Sequence, residues 1–247
     1  MMYSDDDGQT WSNPRDLTAY VKADWMRFLG TGPGNGIQLK DGSLVMPIYY
    51  TNQQNKQSAA VIISQDGGNT WVRGESPTDR ILHAAGGSRL LNNSHYELTE
   101  SQLIQLDNGD LKMFSRNLNG KVHIATSKDG GYTWLNKREF DEVLLDPYSQ
   151  MSVIKYSKRI AGKEYVLFAN PHSTNRIRAN GKVWLGEVKQ DSSIKWLNST
   201  TISTGYYAYN SLTELPNGDI GLLYEESAEK IQFVRLSLQA LLHQSQK

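Results

Sequence analysis

The chain has no cysteine, and it carries only seven prolines, five phenylalanines and no net charge. Without cysteine there is neither a disulfide framework nor a thiolate metal centre. The compartment stays open, because secreted bacterial proteins also do without cysteine. Lysine plus arginine balances aspartate plus glutamate at 26 each. A neutral chain has no global attraction for nucleic acid or an anionic membrane surface. No apolar run reaches the roughly 20 residues of a membrane span. Met1 leads through Met2 and Tyr3 to Ser4 without the basic-then-apolar order of a leader. Helical patterning is scarce: only the segment from Asp16 to Phe28 and the stretch Leu238–Leu242 suit a helical turn. The five histidines, His83, His95, His123, His172 and His243, show no metal-ligand spacing. They read as surface or packing residues, and no metal site or cofactor is expected. What the chain does have is 13 tyrosines and six tryptophans in 247 residues. These residue types suit half-buried sheet surfaces first, and polar grooves such as sugar sites second.

One motif recurs. Ser127-Lys128-Asp129-Gly130-Gly131-Tyr132-Thr133-Trp134 has the form S-x-D-x-G-x-T-W. Ser4 to Trp11 and Ser64 to Trp71 repeat it, and Asp191-Ser192-Ser193-Ile194-Lys195-Trp196 retains little but the tryptophan. The tryptophans stand at 11, 71, 134 and 196, in steps of 60, 63 and 62 residues. Such a period signals stacked or radially arranged supersecondary units. Asp and Gly favour a turn, Ser and Thr can tie it down, and the Trp anchors one unit to the next. The competing reading is a calcium loop, which would need several spaced oxygen ligands and a distal Glu. The repeat resembles the Asp box of sialidase families, and that resemblance implies a β-propeller. Asp boxes also occur in non-enzymatic propellers.

Between the boxes the chain reads as β-hairpins. Their turns are Lys40-Asp41-Gly42, Asp107-Asn108-Gly109, Ala161-Gly162-Lys163 and Pro216-Asn217-Gly218. Third strands follow at Ala59–Ser64, Val122–Thr126, Val183–Val188 and Ile231–Leu236. The expected fold is all-β: a propeller of four-stranded antiparallel blades at about 30–77, 98–140, 150–200 and 205–240. Residues 1–16 read as the tail of a preceding blade. Four blades can close a small propeller, but an open array leaves unpaired strand edges. The expectation is therefore that 1–247 forms the C-terminal part of a larger, six-bladed propeller. The run Gly30-Thr31-Gly32-Pro33-Gly34-Asn35-Gly36 excludes regular structure. It is not a phosphate loop, since no Gly-Lys-Ser/Thr follows.

Two hairpins share their polar pattern. Glu100 and Arg116 flank one turn, and Tyr209 and Glu225 flank another. Each pair is 16 residues apart, and the hairpins are offset by 109. A three-residue loop ending in Gly is the type I turn with a bulge. It makes 100 and 116, and likewise 209 and 225, direct cross-strand partners on one rim. Glu opposite Arg is a favourable cross-strand pair. A plain rim salt bridge explains the pattern equally well at this point.

The run from Tyr96-Glu97-Leu98-Thr99-Glu100 through Phe114-Ser115-Arg116 resembles the glutamate-to-arginine segment of bacterial sialidases. Arg178-Ala179-Asn180-Gly181 resembles a segment holding another arginine of their triad. Ala208-Tyr209-Asn210-Ser211 resembles the segment with their catalytic tyrosine. Leu222-Leu223-Tyr224-Glu225 resembles the stretch whose glutamate braces the first triad arginine, and Gly32-Pro33-Gly34-Asn35-Gly36-Ile37 also fits. The resemblance runs the length of the chain and is closest to the large secreted sialidases of Gram-positive bacteria. It implies an exo-alpha-sialidase, a glycoside hydrolase that releases terminal sialic acid. Tyr209 would be the nucleophile, Glu100 its base, Arg116 and Arg178 carboxylate clamps, and Glu225 a supporting residue. Arginine recognises a carboxylate through two parallel bonds, which lysine does not. Sialidases use Tyr where other glycosidases use a carboxylate, and the Tyr needs an adjacent base.

Rivals remain in the sequence. Arg176 competes with Arg178, since alternation puts both on one face. Tyr206 and Tyr207 compete with Tyr209. Trp25 and Phe28 suit either the wall of an acyl pocket or a core anchor. Asn92-Asn93-Ser94 and Asn198-Ser199-Thr200 match the glycosylation triplet, which also arises by chance. The family's Arg-Ile-Pro motif and the acid/base aspartate that follows it are missing, so the chain alone should turn over little or nothing. Asp5, Asp6 and Asp7 belong to an Asp box and do not replace that acid. Expected partners are sialylated glycoconjugates and the N-terminal remainder of the same domain, with no nucleic acid and no membrane insertion. By resemblance the location is extracellular or cell-surface. The alternatives are a non-catalytic Asp-box propeller binding glycans or proteins, and the product of a split gene.

Overall fold

The computed structural model describes residues 1–53, 55–78, 97–135 and 140–243. His83, His95, Tyr96 and the triplet at Asn92 lie outside the described residues. A short helix, α1 (Thr18–Val21), precedes the first sheet, which contains β1 (Met26–Thr31), β2 (Ile37–Gln38), β3 (Leu44–Asn52), β4 (Gln57–Ser64) and β5 (Val72–Arg73). The second sheet is β6 (Leu98–Gln105), β7 (Leu111–Asn117), β8 (Lys121–Ser127) and β9 (Phe140–Leu145). The third is β10 (Ser152–Lys155), β11 (Tyr165–Pro171), β12 (Ala179–Val188) and β13 (Ile194–Tyr206). The last is β14 (Asn210–Glu214), β15 (Ile220–Ser227) and β16 (Lys230–Leu236), followed by α2 (Leu238–His243). Within each sheet, strands pair antiparallel in chain order, except that β1 and β2 both pair with β3. The result is four consecutive blades of a β-propeller.

Two blades depart from the four-strand expectation. The first has its inner strand split into β1 and β2, because the Gly-Pro-Gly run between them cannot continue a ladder. The glycine at 34 is also steric: a Cβ there would lie 1.9 Å from the Ser101 carbonyl oxygen. That contact seats the loop directly on β6. The last blade has three strands among the described residues, after which the chain turns into α2.

The blades stack face to face, and each interface is a separate core. Val61 and Ile63 pack with Leu103, Leu111, Met113 and Trp134 between the first two blades. Phe114 and Phe168 stack at 5.8 Å between the second and third. Leu167, Leu185, Leu212 and Leu222 fill the third interface. Because the middle blades are covered on both faces, β7 and β11 are buried almost throughout, whereas β16 alternates between exposed and half-buried. Each fully buried Phe contributes about 1.5–3 kcal/mol of hydrophobic stabilisation.

The three Asp boxes are built alike. Thr10 donates its N–H to Asp6 Oδ1 at 2.8 Å and its hydroxyl to Oδ2 at 2.6 Å, and Asp66–Thr70 and Asp129–Thr133 repeat both distances. Ser4, Ser64 and Ser127 each accept the N–H of the residue four ahead at 2.8 Å. The turn reading thus accounts for both carboxylate oxygens. The Thr10 and Thr70 donors hold the Asp6 and Asp66 carboxyls down at about 2. Trp71 and Trp134 are buried anchors, and Trp134 reaches the Glu75 carbonyl at 2.8 Å on the preceding blade. Trp11 does not fit the anchor expectation, being 59% exposed. The worn fourth copy is an ordinary turn into β13, where Trp196 donates to Asp141 at 2.8 Å.

Three hairpins close as a type I turn with a bulge; in each, the Gly N–H and the leucine N–H bond across the loop. The fourth is tighter. Ile160 and Lys163 exchange both backbone bonds at 3.0 Å around Ala161 and Gly162, whose φ values are +50° and +76°. Positive φ at both central residues is the type I′ geometry.

Candidate active site

All four hairpin turns and the described Asp boxes lie at one end of the blades. Glu100, Arg116, Arg178, Tyr209 and Glu225 lie at the other. The strand register explains how they meet. Ser101 pairs with Ser115, as the turn dictates, but Leu98 then pairs with Asn117 across a register shift. Glu100 falls within that shift and is not a formal ladder partner of Arg116. Their side chains nevertheless join, with Arg116 Nη1 2.5 Å from Glu100 Oε2. On the last blade the pairing of Asn210 with Tyr224 extends beyond β14. Glu225 donates its N–H to the Tyr209 carbonyl at 2.9 Å.

These two hairpins, a blade apart, converge on one phenol. Tyr209 Oη donates to Glu100 Oε1 at 2.6 Å and accepts from Arg116 Nη1 at 2.8 Å. Tyr209, Glu100 and Arg116 thereby form a closed triangle of hydrogen bonds. Burial, reinforced by the bond to the Glu100 carboxylate, pushes the Tyr209 phenol above its usual range. Burial works against the Arg116 cation, but the Glu100 charge and hydrogen bond outweigh it and raise its pKa.

The rival residues separate by position. Arg178 is partly buried, with its guanidinium carbon 5.2 Å from the centre of the Tyr209 ring. Arg176 is exposed and lies 5.7 Å from the Tyr148 ring instead. Tyr206 is 43% exposed. Tyr207 is fully buried, stacked on Tyr224 at 4.7 Å. Of the three tyrosines, Tyr209 is the one that meets Glu100. The Glu225 carboxylate accepts the Tyr209 N–H at 3.3 Å and so supports the backbone that carries the phenol. A cleft of about 250 Å³ beside Tyr209 is lined by Pro33, Gln150, Asn210, Leu223 and Glu225. Trp25 packs edge-on against Tyr50 in the core, whereas Phe28 lies over Tyr49 and is 44% exposed.

Sequence reasoning missed the turn from Asp146 to Gln150, which leads from the second blade into the third. Tyr148 lies under Arg116, its ring centre 3.9 Å from the guanidinium carbon. Its carbonyl accepts from Arg178 at 3.5 Å, and its φ is +64°. Asp146 is buried and accepts backbone N–H groups from Asn117, Tyr148 and Ser149. Burial pushes its carboxyl up to about 7 against those donors. The Pro after Asp146 marks a loop, but nothing in the sequence marks what that loop touches.

The arrangement offers two guanidinium groups, a carboxylate and a phenol on one rim. That set suits an anionic, carboxylate-bearing ligand. Two larger clefts, each about 450 Å³, lie elsewhere, and neither is lined by an arginine or a tyrosine.

Comparison with known proteins gives the family of the chain. The family model for the BNR repeat-like domain matches residues 1–222. The anhydrosialidase of Macrobdella decora is 33% identical over 92% of this chain and 29% of its own length. The sialidase of Bacteroides fragilis is 28% identical over 97% of this chain and 41% of its own. Among solved structures, a leech intramolecular trans-sialidase in complex with 2,7-anhydro-Neu5Ac superposes with a TM-score of 0.81 at 30% identity. That match covers 98% of this chain and 36% of the leech chain. The chain thus spans between about three-tenths and two-fifths of the length of these relatives. On the match over residues 1–222, the chain belongs to the family of BNR repeat-like domains, with sialidases as its relatives.

Proposed function

We propose that this chain carries the nucleophile half of an exo-alpha-sialidase site. The observation that supports it most directly is the Tyr209–Glu100–Arg116 triangle. Arg116 and Arg178 would bind the carboxylate of sialic acid, which sits on the anomeric carbon. A carboxylate nucleophile would be repelled by that charge, and a neutral phenol is not. Tyr209 Oη would form a bond to the anomeric carbon as the glycosidic bond breaks. Its proton would pass to Glu100 Oε1, already 2.6 Å away. Glu225 would hold the Tyr209 backbone. The departing alcohol also needs a proton, and no residue of this constellation supplies it. With no Arg-Ile-Pro in 247 residues, turnover by the chain alone should be weak or absent.

The substrates would be sialylated glycoconjugates, and the action extracellular or at a cell surface. No helix among the described residues is long and apolar enough to cross a membrane. The names of the leech relatives favour a second outcome for the same intermediate, capture by the sugar's own hydroxyl to give 2,7-anhydro-Neu5Ac. Mass spectrometry of the released sugar separates that product from free sialic acid.

The test is calorimetric titration of the chain with the 2,3-unsaturated sialic acid analogue. Wild type should bind, and Arg116→Ala should not. Binding by neither protein refutes a preformed sialic acid site in this chain. In a complete domain, Tyr209→Phe should abolish turnover and retain the ligand. Unchanged behaviour would instead favour a glycan-binding propeller without catalysis.

A further inference from the structure

The polar triangle is drawn from two blades, yet the contacts that orient it come from a third place. The turn Asp146–Gln150 meets Arg116 and Arg178 through Tyr148, and through Gln150 it meets Asn210, the neighbour of Tyr209. Asp146 Oδ2 accepts the Asn117 N–H at 2.9 Å and its side-chain amide at 3.4 Å, immediately beyond Arg116. Asp146 Oδ1 accepts Tyr148 N–H at 2.8 Å and Ser149 N–H at 3.1 Å. These bonds pin Tyr148 in its left-handed conformation, which is costly for a tyrosine. So held, the ring lies under the Arg116 guanidinium at 3.9 Å, and its hydroxyl donates to Gln57 at 3.0 Å. At the far end, Gln150 Oε1 accepts the Asn210 N–H at 2.8 Å and Gln150 Nε2 donates to the Asn210 carbonyl at 2.9 Å. That pair fixes the backbone next to Tyr209.

We infer that Asp146 is a positioning residue: it locks the 146–150 turn so that Tyr148 sets the orientation of Arg116, while Gln150 sets that of Tyr209. The distances explain the need. A guanidinium on a flexible stem has many rotamers, and two-point recognition uses few of them. Stacking on a ring fixed from below removes the others before a ligand arrives. This role rests on the sialidase reading for its purpose but not for its geometry, so the two can fail separately.

The experiment compares wild type, Asp146→Asn and Asp146→Ala in the full chain by two readouts. The first is peptide mass mapping after phenylglyoxal treatment, with Arg73 as internal reference. Arg73 bonds the Val21 carbonyl in the first blade and has no link to the turn. Asp146→Ala should raise Arg116 modification several-fold and leave Arg73 unchanged. Asp146→Asn keeps an acceptor for Tyr148 and should give an intermediate value. The second readout is titration with the unsaturated sialic acid analogue. Affinity should fall about tenfold or more in Asp146→Ala, the scale on which losing an orienting partner acts. Arg116 reactivity equal to wild type in folded Asp146→Ala overturns the proposal. If Arg116 and Arg73 rise together, the alanine variant has unfolded and Asp146→Asn decides: selective exposure of Arg116 supports the role, and no change overturns it. Should wild type fail to bind the analogue, the sialidase reading fails for this chain, and the arginine reactivities still judge Asp146.

Discussion

His123 gives the most quantitative prediction. It sits mid-strand in β8, paired with Ser115 and Phe140, and is 2% exposed. Its ring meets Phe140 edge-on at 5.4 Å, and its Nδ1 finds no hydrogen-bond partner among the described residues. Burial pushes its pKa from 6.5 down to about 4. A depressed folded pKa contributes stability that is complete above the unfolded value and lost as pH falls through the folded one. Between pH 6.5 and 4 the unfolded chain binds a proton that the native chain refuses. Linkage then gives a loss of about 1.4 kcal/mol by pH 5.5 and about 2.5 kcal/mol by pH 4.5, relative to pH 7.5. Asp146 acts in the opposite sense. Its pKa is raised from 3.8 to about 7, so its contribution is complete below 3.8 and lost as pH rises through 7. The wild-type curve therefore mixes both effects, and the difference from His123→Leu, a non-titrating side chain of similar volume, isolates the histidine. Urea denaturation from pH 7.5 to 4.5 supplies the two curves. Between those limits wild type should lose about 2.5 kcal/mol relative to the variant toward the acid end. Parallel curves would refute the burial argument.

Gly181→Ala should destabilise the third blade, because the new Cβ would lie 2.0 Å from the buried Tyr207 ring. The expected cost is about 1–3 kcal/mol by urea denaturation, and a cost near zero would mean Tyr207 can move aside freely. Arg178→Lys should leave the thermal midpoint within scatter but weaken the unsaturated analogue about tenfold, since an ammonium cannot make two parallel bonds to a carboxylate. Equal affinity by calorimetry would remove Arg178 from the clamp.

The sequence and the structure meet most closely where local chemistry decides. The Asp boxes are legible because each closes within eight residues on its own hydroxyls. The 16-residue spacing of Glu100–Arg116 and Tyr209–Glu225 is legible because turn geometry fixes register. The bulge at Glu100 is not, since it depends on how β6 meets the neighbouring blade. Trp11 shows the same limit: its box is intact, but burial of the ring requires a neighbour that the box does not encode. Choosing among Tyr206, Tyr207 and Tyr209 needs the stacking of Tyr207 on Tyr224, a contact between segments 17 residues apart. Tyr148 left no trace, because its place under Arg116 comes from a positive φ held by the Asp146 carboxylate, which is itself anchored by the remote Asn117 N–H.

The separation of the two ends of the blade permits one further test. On β8, Ser127 pairs with Leu111 at the Asp-box end, and His123 pairs with Ser115 next to Arg116. Five residue steps along β7 divide Leu111 from Arg116, about 17 Å of strand. The Asp129–Thr133 clamp and the Tyr209–Glu100–Arg116 triangle share no hydrogen-bond partner. Sites farther apart than about 10 Å without common partners act independently. Asp129→Ala should therefore lower the thermal midpoint without changing analogue affinity. Combined with Tyr209→Phe, it should shift the midpoint by the sum of the single shifts. Non-additive shifts, or a loss of affinity in Asp129→Ala, would mean that the boxes set the site's geometry rather than only holding the blades. The measurement would then move the Asp box from the scaffold into the binding machinery.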